Sequence, residues 1–435
     1  MTNGLIIYLE SFQQGLYGRV DLQGSYIQMN IKKTISPLPI ETFDISYPDD
    51  KGSPIYSLPA ETYWSKEFYE FELNAVWRSD WICVGRATDI PNAGDYYTVT
   101  IGNDPLIVIR DRSGSVNVLS NVCQHKGMLI LEGRGNTRRL QCPLHAWVYS
   151  TKGDLVSAPG LTDVEEDFDI KEVCLPKIRA DQWEGFVFIT FDETIPSLQD
   201  RLGNLGEQLK NYDLAGMRPP EPLEMETFDW NWKIFNDECY HCGYLHASSW
   251  GEMYPLPPSA VDEDAIYNDD SQGIVSYHLL STHPDAAPTH TGSILQPGLP
   301  GLTEEERSRL SYITVAPNMF IVAMPDKVKY FIWLPAGPTQ TFYGVSWLYP
   351  ESTLEREDFR KNFDQEHTDL WPVMEEDLFA WRRTQAGMES SFATRGRLTS
   401  KEQVIHRLQK WLIDKYRAED AAVKAQDIPA RKKVS

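Results

Sequence analysis

The sequence predicts an α+β protein made of two unlike parts, a small antiparallel β domain and a larger domain of sheet and long helices. Between residues 78 and 194, short β-type runs alternate with turn pairs such as Ser113-Gly114 and Lys152-Gly153. After residue 195 the pattern changes to long helical stretches separated by strand-like runs. The chain of 435 residues is about three times the usual ~150 residues of one domain, so both parts have room for a core.

The individual elements follow from the hydrophobic spacing in each part. The β domain is predicted to contain strands over 96–101, 106–110, 116–119 and 186–191. The larger domain is predicted to contain helices over 197–211, 238–248, 355–391 and 400–418, and strands over 226–234, 273–280, 310–323, 328–335 and 340–349. The last helix has the clearest signal, because Ser400 and Gln403 can form a capping box ahead of an apolar stripe.

These elements divide the chain into four segments. Residues 1–50 show little periodicity and are expected to be an N-terminal extension that need not be ordered. Residues 51–77 and 195–418 are assigned to the larger domain, 78–194 to the β domain, and 419–435 to a C-terminal tail. A stretch rich in Pro, Gly and Asp over 255–308 is long enough to be a loop that covers an active site.

The charge of the chain argues against several classes of partner. Forty-one Lys and Arg against sixty-three Asp and Glu give a net charge of −22, which repels nucleic acid and anionic membranes. No apolar run approaches the ~20 residues that span a bilayer, and the first residues lack the pattern of a signal peptide. The protein is therefore expected in the cytoplasm, without nucleic acid or a membrane as partner.

The strongest chemical signal is a pair of short segments that each supply one thiolate and one imidazole. Cys123 and His125 form the first pair, and Cys142 and His145 form the second after sixteen intervening residues. A diiron-disulfide cluster held by two Cys on one iron and two His on the other needs this composition. Glycines between the pairs allow tight loops whose N–H groups can point at sulfur.

A structural zinc ion is the alternative ligand for two Cys and two His. Zinc sites usually pair like with like, whereas each pair here is mixed, which favours the cluster. Cys83 and Cys174 lie in apolar, strand-like contexts and are interpreted as small buried hydrophobic residues.

A second group of ligand-type residues lies in the larger domain. Glu238 precedes His241 by three residues, and His246 follows His241 after four intervening residues. Two His and one carboxylate on one face of Fe(II) leave positions open for dioxygen and substrate. A spacing of five places the two His about 140° apart on an ideal helix, so this helix is expected to be distorted or to end near His246.

Longer motifs connect both groups to a known family. The first pair lies in Asn121-Val122-Cys123-Gln124-His125-Lys126-Gly127, and the second in Cys142-Pro143-Leu144-His145-Ala146-Trp147. Both motifs resemble the Rieske domain of Rieske-type non-haem iron oxygenases, and Glu238-Cys239-Tyr240-His241 with His246 resembles the family's mononuclear-iron motif. The similarity covers roughly residues 70–415, with departures at Lys126 and Ala146, where Arg and Gly are common.

The resemblance implies a Rieske [2Fe-2S] cluster, a mononuclear Fe(II) and a helix-grip (START/Bet v 1-like) catalytic domain. It implies that Asp377, eight residues before Gln385, is the carboxylate ligand of this iron, with Glu376 as the second candidate. In the family, a carboxylate at the position of Glu238 connects the iron to the cluster of a neighbouring subunit in a trimer. A homotrimer would bring His145 of one chain close to Glu238 of the next.

One local departure concerns the entry to the iron motif. Asn231-Trp232-Lys233 resembles the family's entry, but only four residues separate Lys233 from Glu238, about one helical turn fewer than expected. An Asn that many members carry near the iron is therefore expected to be displaced or absent, and Asn236 is the nearest candidate.

The resemblance also implies a reaction. The Glu at position 238 and its neighbours are most similar to the branch of carnitine, choline and glycine-betaine monooxygenases. Such an enzyme uses dioxygen and electrons from a separate NAD(P)H-dependent reductase, with or without a ferredoxin, to hydroxylate or N-demethylate a small quaternary ammonium or N-methyl substrate. Aromatic residues could hold this cation. The candidates are Trp250, Tyr254, Tyr277, Tyr312, Phe320, Trp333, Tyr343 and Trp347.

The sequence leaves two alternative functions open. One is the α subunit of an aromatic-ring hydroxylating dioxygenase, which would form cis-diols. The other is a non-catalytic Rieske electron-transfer protein, which would not need His241, His246 and Asp377.

Overall fold

The computed structural model describes residues 33–43, 55–161, 168–238, 261–262, 268–269, 272–399 and 402–426 of the chain. A short strand, β1 (Ile55–Tyr56), and helix α1 (Lys66–Glu72) precede the β domain. The strands of that domain are β2 (Ile82–Arg86), β3 (Asp95–Ile101), β4 (Asp104–Arg110), β5 (Val116–Ser120), β6 (Arg134–Asn136), β7 (Leu140–Gln141), β8 (Val148–Tyr149), β9 (Leu155–Ser157), β10 (Lys177–Trp183) and β11 (Phe186–Thr190).

Seven of these strands form one antiparallel sheet, in the order β2-β11-β10-β5-β4-β3-β6, and β7, β8 and β9 form a separate small sheet. Tyr97, Val99 and Ile101 alternate with more exposed residues along β3, as expected for a strand with one buried face. The two-residue turn Gly102-Asn103 joins β3 to β4, and Gly102 supplies the positive φ of +58° that such a turn needs. The predicted strands of this domain are confirmed.

The larger domain supplies the remaining elements. Its strands are β12 (Met217–Arg218), β13 (Glu226–Phe228), β14 (Val261–Asp262), β15 (Asn268–Asp269), β16 (Ile274–Leu280), β17 (Arg309–Val315), β18 (Met319–Ala323), β19 (Val328–Gly337), β20 (Gln340–Pro350) and β21 (Arg397–Leu398). Its helices are α2 (Leu198–Leu202), α3 (Leu205–Leu209), α4 (Lys233–Glu238), α5 (Glu304–Arg307), α6 (Glu351–Leu354), α7 (Phe359–Met388) and α8 (Gln403–Gln426).

An antiparallel sheet of the order β12-β20-β19-β18-β17-β16-β14 forms the centre of this domain, with β13 also paired to β20 and β15 to β16. One face packs against α1, α4, α7 and α8. The other face packs against α2, α3 and the β domain, where the rings of Phe186 and Tyr330 lie 5.1 Å apart. Because both faces are covered, β18 is buried at every position, which accounts for its continuous apolar run.

Several predicted boundaries in this domain are wrong. The strand expected over 226–234 ends at Phe228, and α4 begins at Lys233, whose N–H donates to the side chain of Asn231 at 3.0 Å. The strand expected over 310–323 is two strands, separated by Ala316-Pro317-Asn318. The helix expected over 197–211 is broken at Gly203, which has a φ of +52°. Residues 239–248 of the helix expected over 238–248 lie outside the described residues.

The chain ends also differ from expectation. Within the supposed extension over 1–50, residues 33–43 pack against α8: Ile40 and Phe43 are buried, and Arg417 donates to the carbonyl of Phe43 at 2.9 Å. The tail expected from 419 begins later, because α8 continues to Gln426 and buries Glu419. The capping residue Ser400 lies outside the described residues.

The stretch over 255–308, expected to cover an active site, lies partly within the described residues. Residues 281–303 have little regular secondary structure but pack against the rest of the domain. Ala286 and Ala287 are buried, and Asn362 of α7 donates to the carbonyl of Leu295 at 2.8 Å. In the part of the chain that is described, no helix is both long and apolar enough to cross a membrane.

Candidate metal centres

Two loops of the β domain carry the Cys-His pairs, and they close in the same way. The first follows β5, and the second joins β7 to β8. The N–H of Gly127 donates to the carbonyl of Cys123 at 3.0 Å, and that of Ala146 donates to the carbonyl of Cys142 at 3.1 Å. Gly127 and Ala146 both have positive φ, +74° and +57°, so Ala146 holds a conformation that favours glycine. This explains why the family commonly has Gly there.

The loops bring the four predicted ligands together. The rings of His125 and His145 lie 4.6 Å apart, and the His125 ring stacks on Trp147 at 4.8 Å with an interplanar angle of 6°. Cys123 and Cys142 are buried with their thiols in contact, whereas both His residues are exposed. The two thiols therefore lie on the inner side of the site and the two imidazoles on the outer side.

The local electrostatics favour neutral imidazole ligands. Burial lowers the pKa of His125, and the neighbouring His145 and Lys126 lower it further. Burial raises the pKa of Cys123, so its thiolate needs a compensating positive charge such as a metal ion. Tyr149 assists, because its hydroxyl lies 3.3 Å from the Cys123 sulfur.

This arrangement fits a two-iron cluster better than one zinc ion. A single tetrahedral ion needs four donors around one point. In the described site the two thiols lie together on the inner side and the two imidazoles lie together on the outer side. A thiol pair beside an imidazole pair is instead the donor set of a cluster with two Cys on one iron and two His on the other.

Removing the Tyr149 hydroxyl is expected to lower the reduction potential of the bound cluster. The hydroxyl accepts the N–H of Gln124 at 3.0 Å, which leaves its own proton free to point at the Cys123 sulfur. One such hydrogen bond is worth about 0.5–1.5 kcal/mol, or roughly 20–60 mV for one electron. A redox titration of Tyr149→Phe measures this shift. An unchanged potential would contradict it, and Tyr97→Phe is a control, since that buried hydroxyl has no described hydrogen-bond partner.

The second centre is only partly within the described residues. His241 and His246 lie outside them, and Glu238 is the last residue of α4 with a side chain that is not described. Asn236, two residues earlier, is 6% exposed. Within the described part of the chain, nothing donates to its side-chain oxygen. A buried polar atom of this kind, beside the predicted iron motif, fits a site completed by another group.

Buried polar contacts hold the start of α4 in place. Lys233 forms an ion pair with Glu72 at 2.9 Å, and both side chains are fully buried. The indole N–H of Trp232 donates to Glu72 at 2.8 Å, and the hydroxyl of Tyr416 donates to it as well. Sequence reasoning missed Glu72; a charged residue among the aromatic residues of α1 was the available signal.

Asp237 is anchored separately at the end of α4. Tyr63 donates to one of its oxygens, and Gln409 donates to the other at 3.0 Å. These contacts also escaped the sequence analysis, since Tyr63 and Gln409 are distant in the chain and belong to no motif.

Asp237 is expected to make stability depend on pH. Burial raises its pKa from 3.8 to about 6, although the bonds from Tyr63 and Gln409 oppose this. The folded protein therefore retains a proton that the unfolded chain releases, so this contribution is present below pH 4 and is lost as the pH rises through about 6. Asp237→Asn should gain up to ~3 kcal/mol relative to the parent protein between pH 4 and pH 8. Urea unfolding at several pH values tests this, and parallel profiles for the two proteins would contradict it.

The predicted third ligand, Asp377, lies in the middle of α7 and is half-buried. It falls on the stripe that α7 turns inward, four residues after Val373 and four before Trp381, both buried. Glu376 is turned about 100° away round the helix. The inward position favours Asp377 over Glu376.

The pairing of α7 with α4 brings Asp377 towards the iron motif. The side-chain oxygen of Gln385 accepts the N–H of Asn231 at 2.8 Å, and the ring of Trp381 lies 5.4 Å from that of Phe235. Asn231 lies beside Gln385, and Phe235, four residues later, lies beside Trp381, four residues earlier. The two segments therefore run antiparallel. One further step of four brings Asp377 level with the end of α4, where Glu238 lies.

An aromatic surface of the central sheet faces this region. Tyr277 and Tyr312 stack at 4.9 Å, and the Phe331 ring contacts Phe235 of α4 at 5.5 Å. Of the aromatic residues named from the sequence, five are described on this face besides Tyr277: Tyr312, Phe320, Trp333, Tyr343 and Trp347. Phe331 and Phe235 were missed, and Trp250 and Tyr254 lie outside the described residues.

Comparison with known families matches both domains. The family model for the Rieske [2Fe-2S] domain matches residues 80–169. The model for the ring hydroxylating alpha subunit (catalytic domain) matches residues 209–418. Both matches fall where the motifs and the observed domains place them.

Individual relatives agree with these matches. A glycine betaine monooxygenase oxygenase subunit from Pseudomonas aeruginosa is 32% identical over 195 residues, 44% of this chain and 45% of that protein. A carnitine monooxygenase oxygenase subunit from Escherichia coli is 32% identical over 197 residues, 44% of this chain and 52% of that protein. The chain thus spans about half the length of these curated relatives.

A solved structure shows the same fold. It is the quaternary ammonium Rieske monooxygenase CntA in complex with an inhibitor, with a TM-score of 0.70 and 20% sequence identity. The superposition covers 88% of this chain and 100% of that chain.

Proposed function

This chain belongs to the Rieske-type ring-hydroxylating oxygenases, and we propose that it is the terminal oxygenase of such a system. It would use dioxygen to hydroxylate or N-demethylate a small quaternary ammonium or N-methyl substrate. The observation that carries this proposal is the combination, in one chain, of paired Cys-His loops and an inward Asp377 level with the end of α4. An electron carrier would need only the loops.

Each centre has residues suited to its group. Cys123, Cys142, His125 and His145 would hold a [2Fe-2S] cluster, with Trp147 fixing the His125 ring. His241, His246 and Asp377 would hold Fe(II). When bound, the cluster supplies single electrons and the Fe(II) supplies positions for dioxygen and substrate.

The chain's own residues then position and connect these groups. Glu238, three residues before His241, would accept its second ring N–H and fix the tautomer. The buried pair of Lys233 and Glu72 holds the helix that carries Glu238 in place.

The surface near the Cys-His loops supports the proposed partners. The exposed edges of His125 and His145 are flanked by exposed apolar side chains, Met128, Leu129 and Leu144. Exposed apolar patches of this kind mark protein interfaces. A separate reductase and a neighbouring subunit of a homotrimer are the proposed occupants. An exposed pair on α7, Trp371 and Phe379, offers a different surface for a head-to-tail contact between subunits.

The substrate class rests on the aromatic face and the relatives. The two curated relatives act on glycine betaine and carnitine, which both carry a quaternary ammonium group. Rings at this face can bind such a cation, at ~0.5–2 kcal/mol for each contact. The second candidate is ring dihydroxylation, which the name of the matching catalytic family favours.

A single-turnover experiment tests the proposal without the unidentified reductase. The metal-replete protein is reduced with dithionite, freed of reductant and mixed with ¹⁸O₂ and either glycine betaine, carnitine or choline. We expect formaldehyde with the demethylated amine, or a hydroxylated product, at up to about one per chain. No product from any of these, together with a cis-diol carrying two labelled atoms from an arene carboxylate, would favour the second candidate instead.

A further inference from the structure

A buried group of charges lies where the turn between β18 and β19 meets α7. The ammonium of Lys327 lies 3.0 Å from both carboxylate oxygens of Asp326 and 3.0 Å from one carboxylate oxygen of Glu366 on α7. The hydroxyl of Tyr349 on β20 donates to the other oxygen of Glu366 at 3.1 Å. The side chains of the three charged residues are at most 3% exposed, so water does not screen their contacts. Asp326, Lys327 and Glu366 are called the charge cluster below.

Stability alone is a weak reason for this charge cluster. Taking ions out of water is costly, and apolar side chains can often replace buried ion pairs with no loss of stability. Apolar packing is available at this place, because the rings of Tyr349 and Phe359 lie 5.1 Å apart. What paired charges add is direction, since both oxygens of Glu366 are paired in the observed position of the helix. The charge cluster therefore fixes the height and the rotation of α7 on the sheet.

The charge cluster is one of two polar anchors that lie on either side of Asp377. Of the buried residues of α7, Glu366 and Gln385 are polar, and they lie eleven residues before and eight residues after Asp377. Pro372 lies inside the helix between Glu366 and Asp377, and it has no N–H for the hydrogen bond of its turn. Because a helix can bend at such a position, an anchor at one end does not fix the other end.

Glu366 and Asp377 lie on nearly the same side of α7. Their separation of eleven residues is about three helical turns and a rise of roughly 16 Å, with about 20° of rotation left over. A shift or rotation of the helix at Glu366 therefore moves Asp377 relative to the end of α4. The affinity of a metal site depends on the residues that hold each ligand in its orientation.

We propose that the charge cluster positions Asp377 for the mononuclear metal ion, so that the affinity for this ion depends on residues about three helical turns from the ligand. The inference rests on the proposed function, under which Asp377 is a ligand of that ion. Lys327 and Glu366 are positioning residues in this account, because they act through Asp377.

Binding of Co(II) measures this without turnover. Co(II) takes the same kinds of ligands as Fe(II), and its EPR signal changes shape with their arrangement. The protein with its cluster oxidised is freed of mononuclear iron and titrated with Co(II) under anaerobic conditions. Glu366→Gln keeps the shape of the side chain and removes the charge, and Lys327→Met removes the cation. Tyr349→Phe removes one hydrogen bond only, so it can be measured even if the two charge variants do not fold.

Asp80→Asn is the matched control. Asp80 is 1% exposed and pairs with Arg201 of α2 at 2.7 Å and with Lys415 of α8 at 2.6 Å, so this change also breaks a buried group of charges. Urea unfolding of each variant measures its loss of stability, and Co(II) affinities are then compared between variants with similar losses.

Glu366→Gln and Lys327→Met are expected to weaken Co(II) binding by about ten- to one-hundredfold and to change the shape of the EPR signal. Tyr349→Phe should weaken it by about two- to tenfold, the range of one hydrogen bond. Asp80→Asn should bind Co(II) like the parent protein. The sign for Lys327→Met is decisive, because removal of a positive charge acting only at long range would tighten the binding of a cation.

Three results would overturn the inference and leave the charge cluster a structural role. They are unchanged Co(II) binding in the three cluster variants, equal weakening in Asp80→Asn, and tighter binding in Lys327→Met. Failure of the proposed function has a different result. If the parent protein itself takes up no Co(II), the mononuclear site is absent, and the inference is overturned together with the proposed function.

Discussion

Asp377→Ala is expected to lose the mononuclear iron and with it all measurable turnover, while the cluster remains intact. The side chain lies on the inward stripe of α7, level with the end of α4, and no motif offers a second carboxylate in an equivalent place. If Asp377 is one of three protein ligands as proposed, its removal leaves two imidazoles, which would hold Fe(II) weakly. The iron content should fall by one per chain, and product formation by at least about a thousandfold.

Glu376→Ala is the matched control for this prediction. It removes a neighbouring carboxylate from the same helix turn at a position about 100° away, so it should retain the third iron. Loss of iron in Glu376→Ala but not in Asp377→Ala would reverse the assignment. Equal iron contents in the parent protein, Asp377→Ala and Glu376→Ala would show that neither carboxylate of α7 is a metal ligand.

Glu72→Gln is expected to destabilise the protein by about 3–5 kcal/mol, because it leaves the ammonium of Lys233 buried without its counter-charge. Both side chains of this pair are fully buried, and burial lowers the pKa of Lys233 while Glu72 opposes that shift. Urea unfolding of the metal-replete protein measures the loss. The double replacement Glu72→Leu with Lys233→Met should cost less than the single one, since no uncompensated charge remains.

An exposed ion pair provides the comparison. Lys210 and Glu207 lie 3.1 Å apart with side chains 62% and 76% exposed, so Glu207→Gln should change stability by less than about 0.5 kcal/mol. A cost for Glu72→Gln no larger than that of Glu207→Gln would show that the buried pair does not hold α4 in place.

The pairing of the two Cys-His loops could be predicted from the sequence because the residues that form each loop are close in the chain. Each Cys-His pair lies within four residues, and the turns that shape the loops depend on nearby residues such as Gly127. Tertiary context then explains a departure: Ala146 takes the positive φ at which the family commonly has glycine. The stacking of Trp147 on His125 could not be read from spacing, because it depends on how β7 and β8 pair.

The larger domain was less predictable, because its key contacts join distant segments. The start of α4 was missed because the alternating Trp230 and Trp232 are typical of a strand. In the structure the side chain of Asn231 accepts the N–H of Lys233, and the helix begins there. Glu72 and Lys233 are 161 residues apart, and no local pattern connects them. Asp377 was named from family resemblance alone. Its position level with the end of α4 depends on how α7 pairs with α4, and the spacing of residues in the sequence cannot reveal that pairing.

The measurement that tests the central claim most directly is the iron and acid-labile sulfide content of the anaerobically isolated protein, with an EPR spectrum after reduction by dithionite. The account predicts about three irons and two sulfides per chain, with a Rieske-type signal from a cluster held by His125 and His145. Zinc in place of iron, or sulfide absent, would contradict the cluster. Two irons with two sulfides and no third iron would leave an electron carrier and remove the oxygenase.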